Sequence, residues 1–468
     1  MRFLAFLPFV GLSAGFILVD EKILGALKES GKEILETSRN ALDEGLGKAA
    51  SAAHHLSDKV HDTGFDVDAW LAGSPFSDSS FDDFGGGDHP PHDPHNPDHP
   101  PPPHPPHDPD HPHHPPHHGK PHHPPHHGKP NHTVYELISK SKYTTKLAEL
   151  INDYPDLVET LNGTKANYTI FAPTDEAFEK IPEHGKKPSK EFLKDILLYH
   201  ISDDFYPAGR VLHSYTIPSL FKPDGLGHAQ RLTVRLTLHG PAINFYSKIV
   251  AVNIFGTNGV IHGVDHILVP PPRVVDIIDL LPGEFSTLEL ALGKTGLLQK
   301  MNETKYPHTG GTFFAPSNWA FKKLGPKINA FLFSKYGQKY LKALLEYHIV
   351  VNQTLYSDAF FDGKDEESET GRPPYYHLDL PTVLYGKPLA VDVVCHGPFV
   401  FIRINGFSKV TIHDGVAKDG VIQVVSDVLI PPKKMGSELV HWKGEELSVE
   451  ELKERLDPIV ENEDNMEL

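Results

Sequence analysis

Three short motifs occur twice in this chain, in the same order. The first copy has FAPTDEAF (Phe171 to Phe178), then LLYHI (Leu197 to Ile201), then GVIHGVDHILVPP (Gly259 to Pro271). The second has FAPSNWAF (Phe314 to Phe321), LLEYHI (Leu344 to Ile349) and GVIQVVSDVLIPP (Gly420 to Pro432). Ordered self-similarity constrains architecture before any propensity argument applies, because each copy must be one folding unit. The offset between copies grows along the unit, from 143 residues at the first motif to 148 at the second and 161 at the third. Most of the excess lies in the polar insertion DGKDEESETGRPP (Asp362 to Pro374), which reads as a surface loop of the second copy.

Within the first copy, Thr133 to Leu161 has helical periodicity. NYTIFAP reads as a strand running into a turn at Ala172-Pro173, with Thr174 as the N-cap of a helix and Asp175 and Glu176 in its first turn. Ser317 takes the capping part in the second copy. Ser189 caps the amphipathic helix that ends in LLYHI. RLTVRLTLHG, INFYSKIVAVNIFG and GVIHGVDHILVP read as strands, and Asn258-Gly259 and Asp419-Gly420 as hairpin turns. Helices around a predominantly antiparallel sheet define an α+β fold class.

Outside the repeats the composition changes. Residues 1–15 read as a signal peptide: Arg2, an apolar stretch from Phe3 to Val10, and small residues at Ser13 to Gly15. Residues 16–72 have helical periodicity weakened by glycines, and read as a surface helix or pro-segment. Residues 73–132 read as a disordered linker, first Asp/Gly-rich, then His/Pro-rich. The stretch from His89 to His132 holds 16 of the 32 histidines and 18 of the 43 prolines. Proline at that density excludes helix and sheet and leaves an extended polyproline spacer. The charged tail, 434–468, lacks the hydrophobic end of a lipid-anchor signal. Five Asn-X-Thr sequons, at Asn131, Asn162, Asn167, Asn302 and Asn352, accord with entry into the secretory pathway.

The repeated motifs resemble the fasciclin domain family. Its pattern is a FAPT(D/N)xAF strand, turn and helix, a Tyr-His pair after a helix, and a C-terminal strand pair near NGVIHxIDxVLxPP. The first copy carries all three, with Tyr199-His200 as the pair. The second carries Tyr347-His348 but has Gln423 for His262 and Asp419 for Asn258. The resemblance covers residues 133 to 432. It implies two tandem fasciclin-like domains, 133–272 and 273–433, each a wedge-shaped β-sandwich flanked by helices. It also implies adhesion or contacts with matrix and cell wall rather than catalysis. The Tyr-His region is linked to integrin binding in animal members. Here the histidine follows an apolar helix face, which favours a buried, hydrogen-bonded pair, and the chain has no RGD tripeptide.

The formal charge of −18 argues against a nucleic-acid partner. With all histidines protonated the balance would be +14, so an acidic lumen would transform the electrostatics. The single cysteine, Cys395, excludes an intramolecular disulfide and sits in an apolar run as an inert thiol. No HExxH, Walker or dinucleotide loop is present, and GLSAG falls in the signal peptide, so no enzyme is expected. His262, Asp265 and His266 on alternating strand positions would not form an acid–base pair. Candidate chemistry is confined to the tract. His111, His113, His114, His117, His118, His122, His123, His126 and His127 put imidazoles within chelating reach for weak Zn, Cu or Ni binding, with no cofactor required. The same tract also reads as a plain hydrophilic spacer or a pH-responsive linker. The expected function is non-catalytic contact with a cell-surface, wall or matrix protein or polysaccharide, by a secreted, cell-surface or vacuolar glycoprotein with no transmembrane anchor in its mature chain. The alternative is a metal-handling or pH-sensing lumenal protein.

Overall fold

The computed structural model describes residues 67–72, 130–163, 167–181, 188–237, 240–302, 308–362, 375–384, 386–396, 399–435, 438–442 and 444–466. The signal peptide, residues 16–66, 73–129 and 363–374 lie outside them, and with them the chelating histidines and nearly all of the acidic insertion. Helix α1 (Val67–Ala72) precedes the first domain. Three helices open that domain: α2 (Val134–Lys140), α3 (Thr145–Asn152) and α4 (Pro155–Asn162). The single helical period of the sequence is broken twice, by Ser141 in an extended conformation and by Pro155 starting a new first turn.

There follow β1 (Tyr168–Pro173), α5 (Asp175–Glu179), α6 (Lys190–Tyr199), β2 (Ile201–Ser202), α7 (Ala208–His213), β3 (Thr216–Pro218), β4 (Arg231–Thr237), β5 (Gly240–Ile243), β6 (Ser247–Gly256) and β7 (Gly259–Val264). The seven strands form one sheet in the order β2-β1-β7-β6-β5-β4-β3. Every neighbouring pair is antiparallel except β1 and β7, the first and last strands, which run parallel. Strand β1 is buried on both faces. Ile170 and Ala172 pack with the helices α2 to α4, and Phe171 packs on the other side with Tyr199, Ile217 and Leu268.

The second domain repeats the plan with α8 (Val274–Leu280), α9 (Pro282–Thr295), α10 (Leu297–Asn302), β8 (Gly311–Pro316), α11 (Asn318–Lys323), α12 (Gly325–Leu332), α13 (Gln338–Tyr347) and β9 (Ile349–Val351). A separate hairpin, β10 (Gln353–Leu355) and β11 (Phe360–Asp362), stands where the first domain has α7. Strands β12 (Tyr375–Pro381), β13 (Pro388–His396), β14 (Phe399–Ile404), β15 (Ser408–Ala417) and β16 (Gly420–Val425) complete a sheet ordered β12-β13-β14-β15-β16-β8-β9. Again the closing pair, β8 with β16, is parallel. The charged C-terminal stretch supplies β17 (Lys433–Met435), β18 (Glu438–Val440) and α14 (Val449–Met466), and Leu452, Leu456 and Val460 of α14 join the second core.

Several local expectations change. The hairpin loop is Thr257-Asn258, closed by the pair Gly256 and Gly259, not Asn258-Gly259. Gly259 is required by proximity: a Cβ there would lie 2.2 Å from the Tyr168 carbonyl oxygen on parallel β1, and one on Gly420 2.4 Å from that of Gly311. The predicted strand through INFYSKIVAVNIFG is split, because Asn244 and Phe245 take positive φ of 50° and 67° and turn the chain between β5 and β6. Strand β7 stops at Val264. Thr174 stands at its N-cap without a side-chain cap bond, whereas Ser317 accepts from the Ala320 N–H at 3.2 Å. Asp175 instead accepts from the Lys146 N–H at 2.9 Å, and Asn318 from the Thr287 N–H at 2.8 Å, so the D/N position of the motif ties this turn to an earlier helix. Gly259→Ala is expected to destabilise the first domain by about 3 kcal/mol through overpacking. Gly283→Ala, with no atom within 4 Å of the new Cβ, should leave stability unchanged or raise it by about 1 kcal/mol. Thermal unfolding of the two variants checks this.

Candidate functional site

The two Tyr-His pairs end helices α6 and α13 and are buried. His200 Nδ1 donates to the Ile196 carbonyl at 2.7 Å, and its Nε2 accepts from the Leu268 N–H at 2.9 Å. His348 repeats this with Leu344 at 2.6 Å and Leu429 at 2.9 Å. The Tyr199 hydroxyl donates to the Arg231 carbonyl at 3.1 Å and accepts from Asn244 Nδ2 at 2.8 Å. Tyr347 does the same with Pro388 at 3.3 Å and Asn405 at 3.0 Å. Each pair clamps a helix end to the segment after the last strand and to the hairpin turn whose asparagine has positive φ. Burial pulls both histidines down to about 4, so they are neutral, and one fixed tautomer satisfies both contacts.

The departures in the second copy keep this geometry. His262 Nδ1 accepts from the Asn253 N–H at 3.4 Å, and Nε2 donates to the Tyr206 carbonyl at 2.8 Å. Gln423 does both jobs with its amide: Oε1 accepts from the Asp414 N–H at 3.1 Å, and Nε2 donates to the Leu355 carbonyl at 2.8 Å. Asn258 accepts from the Val134 N–H at 2.9 Å, and Asp419 from the Val274 N–H at 2.8 Å, each capping its domain's opening helix. What the side chain must present is an acceptor, and asparagine and aspartate both offer one.

A polar seam joins the two domains, and the sequence did not flag it. Asp358, in the turn of the β10–β11 hairpin, accepts from the Thr216 N–H at 2.7 Å, the Thr216 hydroxyl at 2.5 Å and the Tyr215 N–H at 3.2 Å of the first domain. Arg231, buried, stands 3.7 Å from the same carboxylate and donates Nε–H to Thr216 Oγ1 at 2.5 Å. Arg235 donates to the His413 carbonyl, and His413 pairs with buried Asp414 at 2.7 Å. Burial opposes the charge on Asp414, yet His413, Arg235 and Ser357 together hold its carboxyl well below the usual range. Burial raises Asp358, partly offset by Arg231. Gln230 Nε2 donates to the Ala417 carbonyl at 3.0 Å, and the His228 ring stacks on Phe361 at 3.7 Å. The available signal was the change from Asn253 to Asp414 at matching bulge positions. The Arg partners, lying in the other copy, could not be paired with it from sequence.

Among the other candidates, Asn131, Asn162, Asn167 and Asn352 are exposed. Asn302 closes α10, and its side chain lies outside the described residues. Asp265 and His266 do form a pair, at 2.8 Å, contrary to the expectation from strand alternation, because β7 ends before them. His262 is buried elsewhere. Cys395 is half-buried, and burial pushes its thiol up to about 11. Among the described residues no group of three His, Cys, Asp or Glu is placed to hold a metal, and no helix is long and apolar enough to cross a membrane.

His200, His228, His262 and His348 each sit at about 4 against an ordinary 6.5, all through burial. The unfolded chain therefore binds more protons between these values. Stability is complete above about pH 6.5 and falls as pH drops toward 4, by up to about 3 kcal/mol per histidine. His262→Gln copies the second domain, keeps both hydrogen bonds and removes one proton. Its urea-unfolding free energy should depend on pH with a slope one proton smaller between pH 6 and 4.5, and stay within about 1 kcal/mol of the parent at pH 7.5. An unchanged slope would mean that His262 is not held neutral. Asp358→Ala should weaken the coupling of the domains by about 3 kcal/mol, since it strands the Thr216 donors and Arg231. Calorimetry should then resolve two transitions where the parent shows one.

The Fasciclin domain model matches residues 142–270 and 283–431. The chain is 29% identical over 333 residues to aurofusarin biosynthesis cluster protein S of Gibberella zeae, covering 66% of this chain and 80% of that protein. It is 24% identical over 290 residues to human periostin, covering 60% of this chain and 30% of periostin. It is 23% identical over 316 residues to a fasciclin-like arabinogalactan protein of Arthroderma benhamiae, covering 63% and 66%. With both repeats matched, and the motif residues of each in equivalent contacts, the chain belongs to the fasciclin domain family.

Proposed function

We propose that this protein is a non-catalytic glycoprotein of the secretory pathway that contacts a cell-surface, wall or matrix component through its second domain. Trp319 carries the reading. It is 60% exposed on α11, directly after the FAPS turn, where the first copy has Glu176. Leu290 on neighbouring α9 is 53% exposed, and the Lys322 ammonium lies 5.1 Å from the Trp319 ring centre. A tryptophan and a leucine held in water on one helical layer, with a cation beside them, have the composition of a contact hot spot. The polar groups of the repeated motifs are used in internal hydrogen bonds, which leaves them unsuited to acid–base work. The two matched fasciclin domains and the relative named a fasciclin-like arabinogalactan protein support the reading.

Full-length parent protein should be retained by cell-wall or matrix fractions, and Trp319→Glu, which restores the first copy's residue, should weaken retention at least tenfold. Equal retention of both proteins removes the second domain's helical face from consideration. Mass spectrometry of natively produced protein should find glycans on Asn131, Asn162, Asn167, Asn302 or Asn352.

A second reading rests on the 16 imidazoles of residues 89–132 and assigns them metal handling or pH sensing in a lumen such as the vacuole. Calorimetric titration of full-length protein with zinc, copper and nickel should then show weak binding that is lost when residues 89–132 are deleted. Affinity unchanged by the deletion excludes the tract.

A further inference from the structure

Trp70 is fully buried, with 0% exposure, although it precedes the first domain by about 60 residues. It belongs to α1, and it packs into the first domain's core beside Ile170, Ile254 and Ile261. Its carbonyl accepts from the Ser141 hydroxyl at 2.9 Å, and its ring centre lies 5.4 Å from that of Tyr143. The indole rests against the sheet at Gly263. A Cβ added there would meet the ring at 3.3 and 3.5 Å and the Ala251 methyl at 3.1 Å.

The second domain shows why this space exists. Gly263 pairs with Ala172 of β1 and Ala251 of β6. The matching residue of β16, Val424, pairs with Ala315 of β8 and Ile412 of β15. Alanine and glycine in the first domain thus stand where isoleucine and valine stand in the second. Ile412 and Val424 fill their own face. The first domain leaves that face thin, and the Trp70 ring fills it. Removal of several methyl groups from a sheet face would leave a void unless a large side chain entered from outside.

We propose that the face around Ala251 and Gly263 is a docking cleft whose occupant is this chain's own segment 67–72, inserted through Trp70. The docking holds both flanks of residues 73–129 on the first domain: Trp70 beside Ser141 at the C-terminal end of α2, and His132 and Thr133 at its N-terminal end. A helix of seven residues is about 10 Å long. Because segment and cleft belong to one chain, docking within one molecule is expected to prevail over exchange with a second copy at micromolar protein.

The test uses full-length protein with a specific-protease site inserted between Gly86 and Gly87. After cleavage, the N-terminal piece should co-elute with the domain pair in size-exclusion chromatography at micromolar concentration. Trp70→Ala should release it. So should Ala251→Ile with Gly263→Val, which installs the second domain's residues and leaves Trp70 intact. Circular dichroism should show that both variants remain folded. A peptide of residues 62–75 should bind the cleaved, washed parent and bind the double variant at least a hundredfold more weakly. Loss of the N-terminal piece from the cleaved parent overturns the proposal, as does its retention by both folded variants. A concentration-dependent dimer of uncleaved protein at micromolar levels, abolished by Trp70→Ala, would overturn the intramolecular form of the docking.

Discussion

Each domain depends on the parallel pairing of its first and last strands. In the first domain β1 meets β7, and in the second β8 meets β16, over at least five residue pairs each. Every other neighbour pairing in the two sheets is antiparallel and more local along the chain. Parallel strands require a long crossover, and here the crossover is nearly the whole domain. Closing this pair brings together strands separated by most of a domain, so its loop-closure entropy is correspondingly large. This is why the repeated motifs cluster where they do. FAP lies on the first strand, GVI on the last, and the Tyr-His clamp ties the helix before β2 or β9 to the backbone that leaves the last strand. Gly259 and Gly420 are set by the same pairing, because the crossing carbonyl of the partner strand occupies the space of a side chain.

The repeated motifs made this architecture legible, since their residue types answer to geometry within one domain. Residues Phe171, Tyr199, His200 and Asn258 each have a partner in their own copy, and the second copy shows which property is required. A histidine replaced by a glutamine retains one acceptor and one donor, and an asparagine replaced by an aspartate retains the acceptor. What could not be read was whatever depends on a partner outside the copy. Asp358 and Arg231 are unremarkable charged residues in sequence, and their meeting depends on the relative placement of the two domains. Trp70 lies in a stretch whose helical period is weak, and only the small pair Ala251 and Gly263, compared with Ile412 and Val424, accounts for its burial. Strand β7 ends short of its sequence pattern for a simpler reason: Asp265 and His266 continue the alternation, but the ladder stops at Val264.

The seam and the clamps place several histidines in surroundings that exclude the charged form. Lowering the pH drives protons onto the unfolded form of His200, His228, His262 and His348, for which the folded form has little affinity above pH 4. At pH 6 this costs about 1 kcal/mol per histidine, and at pH 5 about 2 kcal/mol. Three of these groups lie in the first domain and one in the second, so at pH 5 they remove about 6 and about 2 kcal/mol from the two domains, against an ordinary domain stability of about 10 kcal/mol. Asp414, with its carboxyl held low by His413 and Arg235, contributes no loss until the pH is lower still. The folded domains are therefore favoured at neutral or mildly acidic pH over strongly acidic pH.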